Sequence, residues 1–207
     1  MHVGIFGGTF DPVHFGHLIM AEQCREQAAL DEVWFVPSAR PPHKLEQPLT
    51  PFGQRVEMLT LALAGQPVFR VEEIEKDRPG PSYTADTLDD LSRLHASNQW
   101  YLLIGSDTLF DLPTWHDPPR VIAKATLVVV ARPNYSILSG VELAKRLSVP
   151  DKNNLLLQVV QSPLIDLSSS DLRARVAKGK SVRYLLPRAV ECYIQAKGLY
   201  QRNGDQK

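Results

Sequence analysis

The sequence has little cysteine, no net charge and no long apolar run. Cys24 and Cys192 are the only cysteines among 207 residues, and no CxxC pair occurs. Two distant thiols of this kind indicate a reducing compartment and buried free cysteines rather than a disulfide framework. No apolar run reaches the length of a transmembrane helix, and the first residues lack the charged and apolar regions of a signal peptide. We therefore expect a cytoplasmic protein with no membrane partner.

The balance of charge excludes a strongly basic surface over the whole chain. There are 23 Lys and Arg residues against 23 Asp and Glu residues, so the formal net charge is zero. We therefore expect no nucleic-acid partner, although a local basic pocket is still allowed. The hydrophobic fraction of 43% suits a globular protein with a sizeable core. No repeat or linker divides the sequence, which predicts one domain over 1–207, including C-terminal helices from about residue 168.

Short apolar runs alternate with helical patterns along the chain. Strands are predicted at 3–6, 32–37, 68–74, 100–105, 126–132 and 155–160. Helices are predicted at about 14–29, from a cap at Thr50 to Gly65, and at about 84–95, 168–179 and 187–198. This alternation predicts an α/β, doubly wound fold, whose mainly parallel sheet carries helices on both faces. Ligands of such sheets bind beyond the carboxyl ends of the strands, so the loops that follow strands matter most.

The first of these loops, "GGTFDPVHFGH", has the composition of a phosphate site. Gly7 and Gly8 follow the first strand and let a ligand approach the main chain. A helix beginning near His14 would turn its unpaired N–H groups toward the loop, where they attract phosphate. His14 and His17 would share one face of the first helical turn, and Gly16 would keep that face open. The stretch is neither GxGxxG nor GxxxxGK[ST], so it matches neither of those phosphate-binding motifs.

The two histidines also have interpretations that involve no ligand. They could be surface residues or helix caps. Zinc would need at least a third ligand, and no Cys or acidic cluster stands beside them in the sequence. We therefore predict no protein-bound metal.

The loop and six further segments resemble a known family. In chain order they are "GGTFDPVHFGH" at 7–17, "PPHK" at 41–44, "SYTADTL" at 82–88, "IGSDTLFDLPTWHDP" at 104–118, "VVVARP" at 128–133, "IDLSSSDLR" at 165–173 and "YLLPRAVECYIQAKGLY" at 184–200. Together they resemble the bacterial nicotinate-nucleotide adenylyltransferases, which belong to the nucleotidyltransferase superfamily with an HxGH motif. The resemblance covers nearly the whole chain and implies a Rossmann-like fold.

The resemblance also implies a reaction. ATP and nicotinate mononucleotide would give deamido-NAD and pyrophosphate, in NAD biosynthesis. A phosphate monoester has its second pKa at about 6, so the attacking phosphate is already ionised and needs no general base. Catalysis then requires positioning of two anions and donors for the phosphoryl oxygens. The resemblance assigns these catalytic roles to His14, His17 and Arg173.

The ATP side is implied in the same way. The predicted ATP-binding residues are Gly7, Gly8, Thr9, Phe10, His14, His17, Gly105, Asp107, Ser168, Ser169 and Arg173. Arg173 would hold the β- and γ-phosphates, with the two serines nearby, although the serines could also simply cap a helix. Mg²⁺ would arrive on the ATP phosphates with mostly water as its other ligands, so no protein ligand is named.

The acceptor needs a platform for its ring and partners for its carboxylate and phosphate. Trp115 could stack on the pyridine ring, or could instead fill the core. Backbone N–H groups at the helix opening near Thr84 could bind the nicotinate carboxylate, unless a side chain caps that helix. Lys44 and Arg132 are candidates for the acceptor phosphate, and His116 for a further contact through its side chain or backbone.

Three other functions stay open at this point. The same fold could use phosphopantetheine, although "SYTADTL" and the loop around Trp115 argue against that acceptor. It could use nicotinamide mononucleotide, which differs from the nicotinate compound by one group. A non-catalytic ATP sensor is the alternative of another class, and the presence of both histidines together with Arg173 argues against it.

Overall fold

A computed structural model describes residues 1–44, 48–131, 137–149 and 157–201. Within these ranges six strands form one sheet in the order β3-β2-β1-β4-β5-β6, and every neighbouring pair is parallel. The strands are β1 (His2–Gly8), β2 (Glu32–Pro37), β3 (Phe69–Val71), β4 (Gln99–Gly105), β5 (Ala125–Val130) and β6 (Leu157–Val160). This is the strand order of a doubly wound, Rossmann-like sheet, as predicted.

Helices cover both faces of the sheet. They are α1 (Phe15–Gln27), α2 (Phe52–Leu63), α3 (Thr84–Leu94), α4 (Ser106–Asp111), α5 (Pro118–Lys124), α6 (Gly140–Arg146), α7 (Ser169–Ala177) and α8 (Arg188–Lys197). Short 3₁₀ turns occupy Pro42–Lys44 and Leu112–Thr114. One core cluster joins the sheet to α1, α2, α7 and α8, and a second joins it to α3, α4, α5 and α6.

The central strand explains why short apolar runs predicted the sheet. Ile5 belongs to one core cluster and its neighbour Phe6 to the other, so successive side chains of β1 are buried on opposite faces. A strand covered on both sides carries a continuous apolar run rather than an alternating one. All six predicted strands are present, but β3 is shorter than the predicted 68–74.

The chain beyond β3 leaves the sheet because its polar groups are used elsewhere. Glu75 is only 4% exposed. Its carboxylate accepts a hydrogen bond from the Thr87 hydroxyl at 2.6 Å and another from the Ala39 N–H at 3.3 Å. Glu75 therefore fastens two loops to α3.

The start of α2 also differs from the prediction. The N-cap is Pro51, and the helix begins at Phe52 rather than directly after a Thr50 cap. Thr50 makes other contacts: its N–H donates to the Asp11 carboxylate at 3.2 Å, and its carbonyl accepts from Arg55 Nε at 2.9 Å. The short helices α4, α5 and α6 were not predicted.

The two thiols lie in different environments. Cys24 is fully buried in α1, and burial raises its pKa to about 12. Cys192 is exposed on α8, between the buried Glu191 and the half-buried Tyr193, so the expectation of a buried thiol is wrong there. Over the described ranges, no helix has the length and apolar character needed to cross a membrane.

Replacement of both cysteines by serine should lower stability without changing the chemistry. Cys24→Ser places a hydroxyl in an apolar cluster, at a cost of about 1–3 kcal/mol, whereas Cys192→Ser should be nearly neutral. Urea unfolding and kcat per folded molecule measure the two effects, with Cys192→Ser alone as the control. Lost turnover in a folded double variant would show that a thiol takes part.

Candidate active site

The site lies where the strand order changes direction. Strands β1 and β4 are neighbours, and their register pairs Ile5 with Leu102, which brings the carboxyl ends Gly8 and Gly105 to the same level. The chain continues from β1 toward one edge of the sheet and from β4 toward the other, which opens a crevice between the two loops. Gly7 is exposed at this end, and a Cβ there would meet nothing within 4 Å. The crevice therefore gives a ligand direct access to the main chain.

The turn after β1 is built around Phe10. This side chain is only 1% exposed, and its backbone has a φ of 49°, in the left-handed region. A Cβ on Gly8 would lie 3.0 Å from the Phe10 ring, so the ring packs where a side chain at position 8 would otherwise be. Because the Phe10 ring is in the core, only its main chain can face a ligand.

His14 and His17 come together at the start of α1, although His14 is the extended N-cap and not, as predicted, part of the first helical turn. Their rings are stacked, with centroids 3.7 Å apart and planes 30° apart. The His14 N–H donates to Nδ1 of His17 at 3.2 Å, so His17 also caps the helix. An Nδ1 that accepts a hydrogen bond leaves the proton of a neutral imidazole on Nε2, which makes Nε2 a donor. A Cβ on Gly16 would lie 3.0 Å from the His14 ring, which is why a glycine suits this position.

Two cations lie beside the same turn. Lys44 Nζ donates to the Thr9 hydroxyl at 3.2 Å, and Arg173 Nη1 donates to the Asp11 carbonyl at 2.7 Å. Burial lowers the pKa of Lys44, and the nearby Arg173 charge lowers it further. Lys44 was predicted on the acceptor side, and the structure brings it together with Thr9 and Arg173, two residues of the predicted ATP side.

The hydroxyls of Ser168 and Ser169 both form hydrogen bonds within the protein. The Ser168 hydroxyl caps α7 by accepting the Asp171 N–H at 3.0 Å, and it donates to the Asp171 carboxylate at 2.7 Å. The Ser169 hydroxyl donates to the Pro12 carbonyl at 2.9 Å. These bonds fix the first turn of α7 against the loop after β1, and they orient Arg173 toward it.

Sequence reasoning missed three residues beneath the turn. Asp11 is 2% exposed, and its carboxylate accepts the Tyr200 hydroxyl at 2.6 Å. Arg55 is 1% exposed and donates to the Thr9 carbonyl at 2.8 Å. Asp11 and Tyr200 belong to segments that carry the family resemblance, which was the available signal. Arg55 is a single arginine in a helical pattern and offered none.

A second group of predicted residues meets on the other side of the crevice. Thr84 begins α3, whose N-cap Tyr83 makes no side-chain capping bond, so the first N–H groups have no side-chain cap from that residue. The Tyr83 ring stacks on the His116 ring with centroids 4.2 Å apart. Trp115 is half-buried and packs partly on the second core cluster. The Ser82 hydroxyl accepts the Arg40 N–H at 3.0 Å.

Arg120 joins the two elements that carry this group. It lies on α5, directly after the loop of Trp115 and His116. Its guanidinium forms ion pairs with Asp86 at 2.7 Å, Asp89 at 3.2 Å and Asp117 at 3.3 Å. Asp86 and Asp89 lie on α3, so this side chain holds the loop of Trp115 and His116 against the helix that begins at Thr84. Sequence reasoning gave Arg120 no role.

The remaining predicted residues are placed as follows. Asp107 is half-buried in the first turn of α4, directly beyond the carboxyl end of β4 at Gly105. Arg132 lies at 132–136, outside the described residues. Among the residues that the structure describes, no three His, Cys, Asp or Glu side chains form a group able to hold a metal ion.

Comparison with known proteins identifies the family. Residues 5–175 match the cytidylyltransferase-like family. A relative from Thermomicrobium roseum, named "probable nicotinate-nucleotide adenylyltransferase", is 44% identical over 96% of this chain and 91% of its own. A relative of the same name from Thermus thermophilus is 44% identical over 97% of this chain and 100% of its own.

Solved structures agree on the fold. Plasmodium falciparum nicotinic acid mononucleotide adenylyltransferase, complexed with NaAD, has a TM-score of 0.78 at 20% identity, over 96% of this chain and 97% of its own. The sequence matches, together with the stacked histidines at the carboxyl end of β1, lead to one conclusion. The chain belongs to the cytidylyltransferase-like family and, within it, to the nicotinate-nucleotide adenylyltransferases.

Proposed function

We propose that this protein transfers the adenylyl group of ATP to nicotinate mononucleotide, giving deamido-NAD and pyrophosphate in NAD biosynthesis. The observation that carries the proposal is the convergence on one turn of His14, His17, Lys44 and Arg173. Such a set of donors and cations suits a polyphosphate. The choice of acceptor follows from the relatives. They are named as nicotinate-nucleotide adenylyltransferases, and this chain matches them over nearly their whole length.

In the proposed reaction the acceptor phosphate attacks the α-phosphorus of ATP. A new P–O bond forms there, the bond to the β-phosphate oxygen breaks, and pyrophosphate leaves with the electron pair. The nucleophile is already an anion at neutral pH, so no side chain has to remove a proton. The protein's contribution is positioning and stabilisation of the charge on the phosphoryl oxygens. We assign that stabilisation to Nε2 of His17, with His14 beside it, and the outer phosphates to Arg173.

The other ATP contacts are assigned by position. Gly7, Gly8 and the main chain of Phe10 line the crevice, and Thr9 contributes its hydroxyl. Ser168 and Ser169 act through the first turn of α7, while Gly105 and Asp107 lie on the β4 side, where Asp107 suits ribose hydroxyls. We assign Lys44 to the phosphates that the two substrates bring together, because it donates to the Thr9 hydroxyl.

Magnesium would be carried by ATP rather than by the protein. The charged side chains gathered at the turn are mainly cations, which suit phosphate oxygens and not a bare divalent ion. Mg²⁺ typically keeps several waters and binds through substrate phosphates in such sites, where it would neutralise part of their charge. We therefore assign no protein ligand to it.

The acceptor side is assigned to the group around α3. The first N–H groups of α3 at Thr84 would bind the nicotinate carboxylate, and the Trp115 ring would stack on the pyridine ring, with His116 adjacent. Arg132 stays a candidate for the acceptor phosphate. We further propose that the chain acts as a single domain in the cytoplasm, as its unpaired thiols indicate, without a nucleic-acid partner.

Pyrophosphate release tests the proposal. The protein is incubated with ATP, Mg²⁺ and one of three acceptors: nicotinate mononucleotide, nicotinamide mononucleotide or phosphopantetheine. Rapid release with the first acceptor alone supports the proposal. Release only with phosphopantetheine, or ATP binding without release from any acceptor, would replace it with another acceptor or with a non-catalytic sensor.

Arg173→Ala should weaken ATP binding more than acceptor binding. The loss of a charge-assisted contact costs about 1.5–3 kcal/mol, or about ten- to a hundredfold in Kd. Calorimetry with each substrate measures the two affinities. Arg175→Ala is the matched control, because Arg175 lies on the same helix and donates to the Ser181 carbonyl instead of the turn after β1. Unchanged ATP affinity with weaker acceptor binding would move Arg173 to the acceptor side.

A further inference from the structure

We infer that Tyr200 is a positioning residue for the phosphate-binding turn, acting through Asp11 from the far end of the chain. The inference deepens the proposed function and rests on it. Its basis is a partly buried contact between residues 189 positions apart, in which the Tyr200 hydroxyl donates to Asp11 Oδ1 at 2.6 Å. Asp11 lies in the turn between Thr9 and His14, and Tyr200 follows α8.

Both oxygens of the Asp11 carboxylate accept hydrogen bonds. The second oxygen, Oδ2, accepts the Thr50 N–H at 3.2 Å. Asp11 is 2% exposed, so water cannot take the place of either donor. Burial raises the pKa of Tyr200 well above its usual value, and the hydrogen bond to Asp11 raises it further. The phenol therefore stays protonated and stays a donor.

The turn that this carboxylate fixes carries the cations of the site. The Asp11 carbonyl accepts Arg173 Nη1 at 2.7 Å. Thr9 uses its carbonyl to accept Arg55 at 2.8 Å and its hydroxyl to accept Lys44 at 3.2 Å. The charge of Asp11 also favours the protonated forms of Lys44 and Arg55, because it acts to raise the pKa of both against the effect of burial. A shift of Asp11 would therefore move Arg173 and Lys44 together.

The backbone at the end of α8 places the Tyr200 side chain against Asp11. Gly198 ends the helix with a φ of 61°, and the Leu199 N–H donates to the Ile194 carbonyl at 3.0 Å. Tyr200 itself has a φ of 63°, which is uncommon for a residue other than glycine. Its ring also packs on the first core cluster, where phenylalanine would serve equally well. The hydroxyl is what the bond to Asp11 requires, and its other hydrogen-bond partner in the core, Met58 Sδ, lies farther away at 4.0 Å.

Tyr200→Phe separates these two roles, because it keeps the ring and removes the donor. We expect the Kd for a non-hydrolysable ATP analogue and the KM for ATP to rise about tenfold, while the KM for the acceptor changes little. Tyr184→Phe is the control. Tyr184 also has a left-handed backbone, with a φ of 64°, but its side chain is 85% exposed. It should leave both constants unchanged.

A second variant and one binding measurement keep the inference falsifiable. Asp11→Asn should give the same ATP defect, because its amide would turn an NH₂ toward one of two donors, and adding Tyr200→Phe should not deepen the defect. A lower melting temperature for Tyr200→Phe with unchanged Kd and KM would overturn the inference in favour of a purely structural role. Binding of the analogue does not require turnover. If the wild-type protein releases no pyrophosphate but Tyr200→Phe still binds the analogue tenfold more weakly, the positioning role is supported and only the proposed function is overturned.

Discussion

Replacing His17 with alanine should lower kcat about a hundredfold or more, which is typical for a donor aimed at developing charge. The KM for ATP should rise much less, because the donor stabilises the transition state more than the bound substrate. Steady-state kinetics on folded protein measure both. His14→Ala should also be impaired, with a larger share of its defect in ATP binding.

Two further variants distinguish the role of the Nδ1 acceptor of His17 from that of its Nε2 donor. Nδ1 accepts the His14 N–H, so the proposed chemistry belongs to Nε2. Asparagine can replace the Nδ1 acceptor but not the Nε2 donor, whereas the longer glutamine can place an N–H near the Nε2 position. We expect His17→Asn to be as slow as His17→Ala, and His17→Gln to recover part of kcat. Near-normal turnover of folded His17→Ala would remove His17 from the mechanism, and recovery by asparagine alone would reduce its role to helix capping.

The fold could be predicted because its signals are local. Each strand is a short apolar run, and the turn after β1 contains the glycines and the cap position that a phosphate-binding loop requires. The stacking of His14 on His17 joins the N-cap of α1 to the third residue of the helix, a spacing that the sequence shows directly. The helices that escaped prediction are short. For example, α5 has seven residues, and its N-cap Asp117 has a left-handed backbone that the sequence does not predict.

The second layer of the site could not be predicted because it depends on distant pairs. The contact of Asp11 with Tyr200 and the ion pairs of Arg120 with α3 join residues whose proximity exists only after the sheet is assembled. The position of Lys44 is a similar case. Its loop could reach either side of the crevice, and only the structure shows that its ammonium group donates to Thr9. The sequence therefore predicts the residues of local motifs, but it does not predict contacts between distant segments.

The protein should prefer nicotinate mononucleotide over nicotinamide mononucleotide by about a hundredfold or more in kcat/KM. The acceptors differ by one group, a carboxylate against a carboxamide. The N-terminus of α3 offers N–H donors and a partial positive charge. Arg120 pairs with Asp86 in the first turn of α3 at 2.7 Å, which reduces the repulsion a bound carboxylate would meet. A carboxamide would turn its NH₂ toward one of those donors, at a cost of roughly 1–3 kcal/mol before the lost charge is counted.

Trp115→Ala tests whether this preference arises at the carboxylate and not at the ring. Stacking on the pyridine does not depend on its substituent, so the variant should lower kcat/KM for both acceptors and leave their ratio nearly intact. The measurement is kcat/KM for each acceptor at saturating ATP, in wild type and variant. Equal values for the two acceptors in wild type, or a preference for the amide, would contradict the assignment of the α3 N-terminus. A ratio that collapses in Trp115→Ala would instead place the discrimination in the loop of Trp115, because only a loop that reads the substituent could lose the preference when its ring is removed.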